Sequence, residues 1–534
     1  DIVYLKYGTY SLTTQLVISN RPSLTIKGGY QGITGSPGVL TNLPSLVKRD
    51  AAVTFMRIGH IYHSTTTVER VTAANGSLTA AGLYGAAFLV ESASALTLRD
   101  CVVTNNNLIQ GGNQFGAAIY MDGGRLNISG SRFVNNRISG GWWWEQGYGG
   151  AMACINVDVV VSNVQFFGNY ISTRAGYQRG GTMYLSGGPA RLISNVWSNS
   201  TVASQYAHDY PSCYSWGGAI YAVNSVPLIV TSNTFTRCSA GLTDGSAVEF
   251  GDILYVDGAT QAHIAGCTMT DNGRTSVSRT LYIKTGDVSA GRVTMRGNKG
   301  TGIYMAGGTF AATNLLVYGQ SSHGFWGAGG TARFLHSTIV RNAGLGITNN
   351  GATVSLTNSI VYWHPSTTYV REQQTNIVGA GVTVGYSCSY PKPGGTGNTD
   401  VDPEFESVPL NNYRLHLGSS CVDAGLASGV AMDLDNRARP QDGNGSGGSQ
   451  YDVGAYELTN AAAGTLRCDF TASTNQGWDS ITAIFTAHVA GSNTNIAWYG
   501  WDFNNDGSFE KSGTGYRVVT NTFSSYGWYD VTLR

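Results

Sequence analysis

Charge is what this sequence has little of. Asp, Glu, Lys and Arg make up 12% of it, about half the usual share of a soluble protein, and the 32 basic and 32 acidic residues cancel. A chain without a net field attracts neither nucleic acid nor an anionic membrane at long range, so no nucleic-acid partner is expected. No run of 18 or more apolar residues occurs, and no membrane span is expected. The opening Asp1-Ile2-Val3-Tyr4-Leu5 has neither the charged nor the apolar region of an export leader, which is expected to have been removed or to lie outside these residues. The end, Val531-Thr532-Leu533-Arg534, reads as an interrupted strand, so a fragment is expected. The eight cysteines are widely spaced and include no Cys-x-x-Cys pair, which argues against zinc or thioredoxin-type chemistry. Most read as small core residues, with Cys388 and Cys421 the best candidates for a disulfide.

Glycine, by contrast, is abundant, with 72 residues in 534. Much of it falls in a repeat: a small-residue pair and an apolar residue, a large apolar residue about fourteen positions on, then an amide three further. Gly116-Ala117-Ala118-Ile119 leads to Phe133 and Asn136, and Gly149-Gly150-Ala151-Met152 to Phe166 and Asn169. Gly85-Ala86-Ala87-Phe88 leads to Val102 and Asn105, while Val248 stands twenty-one residues before Met269 and breaks the register. Between these anchors the text alternates and is rich in β-branched residues, as in Arg125-Leu126-Asn127-Ile128-Ser129, which is strand rather than helix. A regular period of this length predicts a solenoid of stacked coils, with the glycines at corners and the amides forming an inward ladder.

The pairing of Gly-Gly-Ala-Ile with Phe-x-x-Asn resembles the right-handed parallel β-helix of bacterial surface proteins, including polymorphic outer-membrane proteins. A second resemblance covers residues 398–457. Asp402-Pro403-Glu404-Phe405, Tyr413-Arg414-Leu415, Cys421-Val422-Asp423-Ala424-Gly425, Asp433-Leu434-Asp435 with Arg439-Pro440, and Asp452-Val453-Gly454-Ala455-Tyr456-Glu457 follow in the order found in choice-of-anchor β-helix tails. Both imply a secreted, bacterial-type protein at the cell surface. After Ala461-Ala462-Ala463-Gly464 the text turns to short alternating strands, and Trp501-Asp502-Phe503 with Trp528-Tyr529-Asp530 resembles a PKD domain. The expected fold is all-β: a right-handed parallel β-helix over 1–385, a tail or cap over 386–460, and an immunoglobulin-like PKD β-sandwich over 465–534.

The spacing Asp502-x-Asn504-x-Asp506-Gly507, with Glu510, is that of half a calcium loop, so calcium is the one candidate cofactor. A tight, self-bonded turn is the alternative. Catalytic signals are weak. Polygalacturonase-like enzymes carry Asn-Thr-Asp, Gly-His-Gly and Arg-Ile-Lys in that order, whereas Arg57-Ile58-Gly59, Ser322-His323-Gly324 and Asn398-Thr399-Asp400 here run in the reverse order and lack the lysine. Asp122, Asp158, Asp252, Asp257, Asp271 and Asp287 share no register, and Glu249 is the one carboxylate in an apolar strand context.

Length variation is confined to one segment of the repeat: twelve residues separate Asn136 from Gly149, sixteen separate Ser200 from Gly217, and six separate Cys238 from Gly245. Stacked coils would set these loops side by side, and their contents are aromatic: Trp142, Trp143, Trp144, Tyr148, Tyr177, Tyr206, Tyr210, Tyr214 and Trp216. The ridge has three readings: a self-packed cover, a protein interface, or a surface for sugar rings. The resulting expectation is a secreted, non-catalytic adhesive or structural protein that binds itself, other surface proteins or glycans through this ridge. The alternative is a carbohydrate-active enzyme, a polysaccharide lyase or glycoside hydrolase, of the pectate-lyase-like β-helix class.

Overall fold

The computed structural model describes residues 1–534 except 34, 80–82, 110–111, 141–144, 174–175, 205–213, 243–248, 366–372, 446, 460–465, 475–479, 492–495 and 526–528. Among the described residues every regular element is a strand or a short turn. The first two thirds wind as a parallel β-solenoid. A 26-stranded long sheet and a 13-stranded second sheet run its length, and two six-stranded sheets accompany the early coils.

One coil shows the plan. Ile119–Asp122 lies in the second sheet, Arg125–Ser129 and Arg132–Val134 lie in the long sheet, and Arg137–Ser139 leaves as an outgoing arm. Gln146–Tyr148 returns, and Met152–Ile155 begins the next coil directly above Ile119. In Arg125–Ser129, Leu126 and Ile128 are buried while their neighbours are not. Period-two patterning thus faces apolar side chains inward and pins the register, because a one-residue slip would expose them all. The two arms account for coil length. Equivalent amides are 33 residues apart at Asn136 and Asn169, where the arms are present, and 22 apart at Gln320 and Asn342, where they are gone.

The interior is a column of large side chains. Phe133, Phe166, Trp197 and Phe235 stack ring on ring at 5.5, 4.2 and 5.6 Å. Each is essentially inaccessible, and burial of one such ring is worth about 1.5–3 kcal/mol. Beside them runs the amide ladder. The Asn106 side chain donates to Asn136 Oδ1 at 2.9 Å, the Asn136 side chain donates to Asn169 Oδ1 at 3.0 Å, and each amide also donates to a carbonyl of an earlier coil.

Two anchors sit elsewhere than the repeat suggested. Val103 and Asn106, rather than Val102 and Asn105, point inward, since Val103 pairs with Phe133. Val248, where the repeat breaks, lies outside the described residues. Leu254 takes the anchor position, pairing with Ile220 and Leu281, and Asp252 stands where the preceding coils carry Gly218 and Gly181. Its Oδ1 accepts the Ala240 N–H at 2.8 Å, so a bonded carboxylate fills a small residue's place.

Residues 398–459 cross the outside of the long sheet. Phe405, Tyr413, Leu415, Cys421, Val453 and Leu458 share one core with Leu316, Val340, Ile360 and Tyr362 of the coils. The expected Cys388–Cys421 disulfide is not formed: both are free thiols in this cluster, close enough that Cys421 acts on the Cys388 thiol by a hydrogen bond. The last residues form two three-stranded antiparallel sheets around Phe485, Trp501, Phe503 and Val519.

Candidate functional site

Stacking coils turns a recurrent residue into a continuous structure. On the outer face of the second sheet, Tyr184, Tyr221, Tyr255, Tyr282, Tyr304 and Trp326 occupy one register position on successive coils. Neighbouring strands lie about 4.8 Å apart, so like rotamers put ring against ring. Centroids are 4.8 Å apart for Tyr221–Tyr255 and again for Tyr255–Tyr282, with the planes within 9° and 2° of parallel. The returning arm adds a second stack, Tyr84, Phe115 and Tyr148, at 5.4 and 4.3 Å. Arg179 then takes the same position, its guanidinium 4.9 Å from the Trp216 ring and 5.2 Å from Tyr148.

Of the nine aromatic residues predicted as a ridge, the structure brings Tyr148, Tyr177, Tyr214 and Trp216 together on this arm. Tyr177 and Tyr214 stack at 5.8 Å, and Tyr214 and Trp216 at 5.4 Å. Trp142, Trp143, Trp144, Tyr206 and Tyr210 lie outside the described residues. The ring faces are occupied by one another, so the stack offers edges and hydroxyls to a ligand rather than flat faces. Burial pushes the phenols of Tyr221 and Tyr255 upward and that of Tyr282 to about 12, so these hydroxyls stay neutral donors.

A group of ionisable residues sits where the stack meets the first coils. Val90 pairs with Met121, which sets the next residues, Glu91 and Asp122, on neighbouring coils at one outward position. His60 Nε2 and Glu91 Oε2 are 2.7 Å apart. Tyr120 senses both acids: burial foremost, then the charges of Asp122, Tyr84 and Glu91, push its phenol up to about 12. The Arg57 guanidinium donates to the carbonyls of Tyr84 and Gly85 at 2.8 Å. Burial holds its pKa down while the Glu91 charge works against that. Two carboxylates, an imidazole, a guanidinium and the floor formed by Tyr84, Phe115 and Tyr120 thus share one shelf. Coils about 4.8 Å apart set the backbones of the two acids at adjacent positions.

The Asp502 loop has the predicted shape. Ligand oxygens of Asp502, Asp506 and Glu510 lie within 4.8 Å of one another. Asp502 Oδ2 accepts the Gly507 N–H at 2.8 Å, and Asn504 Oδ1 accepts the Asp506 N–H at 3.0 Å. Burial pulls the Asp502 carboxyl up, but the backbone N–H groups of Gly507, Asn504, Asn505 and Asp506 together hold it below its ordinary value. The oxygens suit a hard cation, and the same bonds build the self-bonded turn.

No family model matches the chain, and no curated protein matches it significantly. Among solved structures it is similar to the catalytic domain of a GH87 alpha-1,3-glucanase, in two aspartate-to-alanine variants each in complex with nigerose. One is 12% identical at a TM-score of 0.23 and the other 11% at 0.22, each over 71% of this chain. The chain spans 64% of the length of each.

The expectation of a non-catalytic adhesive or structural protein is corrected by this finding. The solved structures it resembles are catalytic domains of an enzyme acting on a glucan, in line with the alternative reading. Neither the outer-membrane-protein repeat nor the PKD module gains support from a family model. At these identities and TM-scores no residue or substrate is carried across, so function rests on the geometry above.

Sequence reasoning passed over Glu91 altogether, and it set Asp122 aside because acids inside the repeat share no register. The usable signal was the position two residues beyond Leu89 and Tyr120, visible once the coils are aligned on the second sheet. Glu249 pairs through its backbone with Ser215, and its side chain lies outside the described ones.

Proposed function

We propose that the chain is a carbohydrate-active enzyme on a parallel β-solenoid that cleaves a polysaccharide outside the cell, with Glu91 and Asp122 as its pair of catalytic carboxylates. The observation that carries this reading is their placement on adjacent coils, with His60 bonded to Glu91 and the Tyr120 phenol within reach of both charges. One carboxyl protonates the leaving oxygen while the other acts as base or nucleophile. The row of aromatic hydroxyls and edges, including Tyr148, Tyr177, Tyr214 and Trp216, would hold the chain beyond the cleaved bond. A screen of glucans and other plant and algal polysaccharides for new reducing or unsaturated ends tests it. Glu91→Gln and Asp122→Asn are each expected to lower kcat by about 10²- to 10⁴-fold with an unchanged melting temperature. Turnover that persists in the double variant, or no turnover on any chain, defeats the reading.

The right-handed sense of the coils, the division at about 385 and 460, the choice-of-anchor character of the tail and the PKD-like character of the last segment belong to the same proposal. Their support is the ordered sequence blocks. Asp502, Asn504, Asp506 and Glu510 would take one calcium ion. A site saturated a hundredfold above its Kd adds about 2.7 kcal/mol, so calcium should raise the melting temperature of the last segment and EDTA should reverse it. An Asp506→Asn variant that melts like wild type in both conditions would remove calcium from the account.

A further inference from the structure

Two strands further round each coil from Glu91 lies a second, chemically different surface. Where the chain turns from the long sheet into the outgoing arm, successive coils form two parallel columns. Arg49, Asn75, Asn105 and Asn135 follow one another in the first, in step with the pairings Lys48–Ala74, Ala74–Thr104 and Thr104–Val134. The three asparagines hold left-handed φ values of 64°, 54° and 53°, a conformation asparagine tolerates well. Ser77, Asn107, Arg137 and Tyr170 follow one another in the second column. Between the columns runs an open groove of about 670 Å³, along the solenoid axis.

The lining carries three cations, Lys48, Arg49 and Arg137, and no carboxylate. Among the described residues none of the three meets a carboxylate within ion-pair distance, in contrast to Arg99, Arg125 and Lys284 elsewhere on the coils. Arg49 donates to the Asn75 and Val53 carbonyls and Arg137 to the Tyr170 hydroxyl at 3.1 Å, so both heads are held at the groove. The nearest acid in sequence, Asp50, turns its carboxylate to the Ala52 N–H. In a protein of zero formal net charge, a groove lined by one sign of charge raises the local concentration of anions that enter it.

We infer that this groove binds an acidic polysaccharide, a glycan bearing carboxylates or sulfates, laid along the solenoid axis. Guanidinium and ammonium groups meet the anionic substituents, Arg in a fixed fork. The amides, which both donate and accept, meet hydroxyls. The columns offer polar groups once per coil, about every 4.8 Å, and a polymer of similar repeat meets them in turn. A nucleic acid fits less well. Its backbone needs more cations, and its bases need aromatic faces, of which the groove has only Tyr170. The inference concerns binding and stands independently of cleavage at Glu91 and Asp122.

Titration calorimetry with polygalacturonate, chondroitin sulfate, neutral dextran and a single-stranded oligonucleotide tests it, on wild type and on the Glu91→Gln/Asp122→Asn variant, so that loss of cleavage cannot be mistaken for loss of binding. The carboxylated or the sulfated glycan should bind, more weakly as salt rises, and the dextran should not. Lys48→Gln/Arg137→Gln should weaken binding at least tenfold at an unchanged melting temperature. Asn105→Asp, which sets a carboxylate in the first column, should weaken it as well. Dextran binding as tightly as the acidic chains, oligonucleotide binding more tightly, failure of both acidic glycans to bind, or indifference to both variants would each overturn the assignment.

Discussion

Asn136 shows what one side chain does in a stack of coils. Its Oδ1 accepts from both the backbone and the side chain of Asn106, and its amide donates to Val103 and Asn169. Replacing it with alanine strands donors of the coil below in a dry interior, where each unmet group costs about 1–3 kcal/mol. Asn136→Ala should lower the solenoid's stability by about 3 kcal/mol, and amide exchange should speed first at Asn106. A variant as stable as wild type would make the ladder ornamental. At this scale the sequence was readable where one amide stood alone, as at Asn169. It misled by one position in Asn105-Asn106-Asn107, where three adjacent amides gave the periodicity nothing to choose between.

The element that most depends on buried charge is the tail. Arg439 and Glu457 meet at 2.9 Å with both side chains fully inaccessible. Glu457 also accepts the N–H of Gln441 and of Asp452, while Arg439 donates to the Gly454 carbonyl at 2.8 Å and to His336, in the turn between two strands of the long sheet, at 2.9 Å. Burial, then the Arg439 charge, hold His336 down to about 3, so the ring stays neutral and accepts. Asn358 reaches from the coils to both the N–H and the carbonyl of Leu426. Burial and the Glu457 charge push the Asp452 carboxyl well up. Breaking one side of such a pair costs about 3–5 kcal/mol, because the other charge stays buried and unmatched. Arg439→Met should therefore release residues 398–459 to limited proteolysis while the coils stay folded; a tail equally resistant in this variant would refute the anchoring role. The motif blocks Arg439-Pro440 and Asp452 to Glu457 were visible in the sequence, but only the fold shows that they are fasteners.

At the scale of the whole molecule, the tail meets the last segment through titrating groups. His416 Nε2 and Asp469 Oδ1 are 2.9 Å apart, and Gly418 lies so close to the His488 ring that an added Cβ would come within 2.2 Å of it. Burial foremost, then Asp402 and Asp469 with His416 opposing, push the Glu404 carboxyl up from 4.5 to about 7, and its Oε2 has no hydrogen-bond partner among the described residues. The folded state holds this proton more tightly than the unfolded chain. The stability it adds is fully present below about 4.5 and is lost as pH rises through about 7. His488 works in the other direction. Burial, then His416 and Arg517 with Asp469 opposing, hold its ring below its ordinary value, so its contribution fades as pH falls. Glu404→Gln should therefore stabilise the junction at pH 8 and change little at pH 4, read as paired thermal melts of the full chain. Equal effects at both values would show that the proton is not the cause.

The sequence by itself determined the all-β class, the stacking of coils and the inward amides, because each follows from short-range periodicity that one coil shares with the next. It also located the variable segment in the repeat, since insertions there leave the anchors in step. What only the tertiary structure decided is which residues from different coils take neighbouring positions: Glu91 with Asp122, Arg49 with the asparagine column, Arg439 with His336. Those partners lie from about thirty to a hundred residues apart, and no local pattern encodes a distance that depends on the length of every coil between.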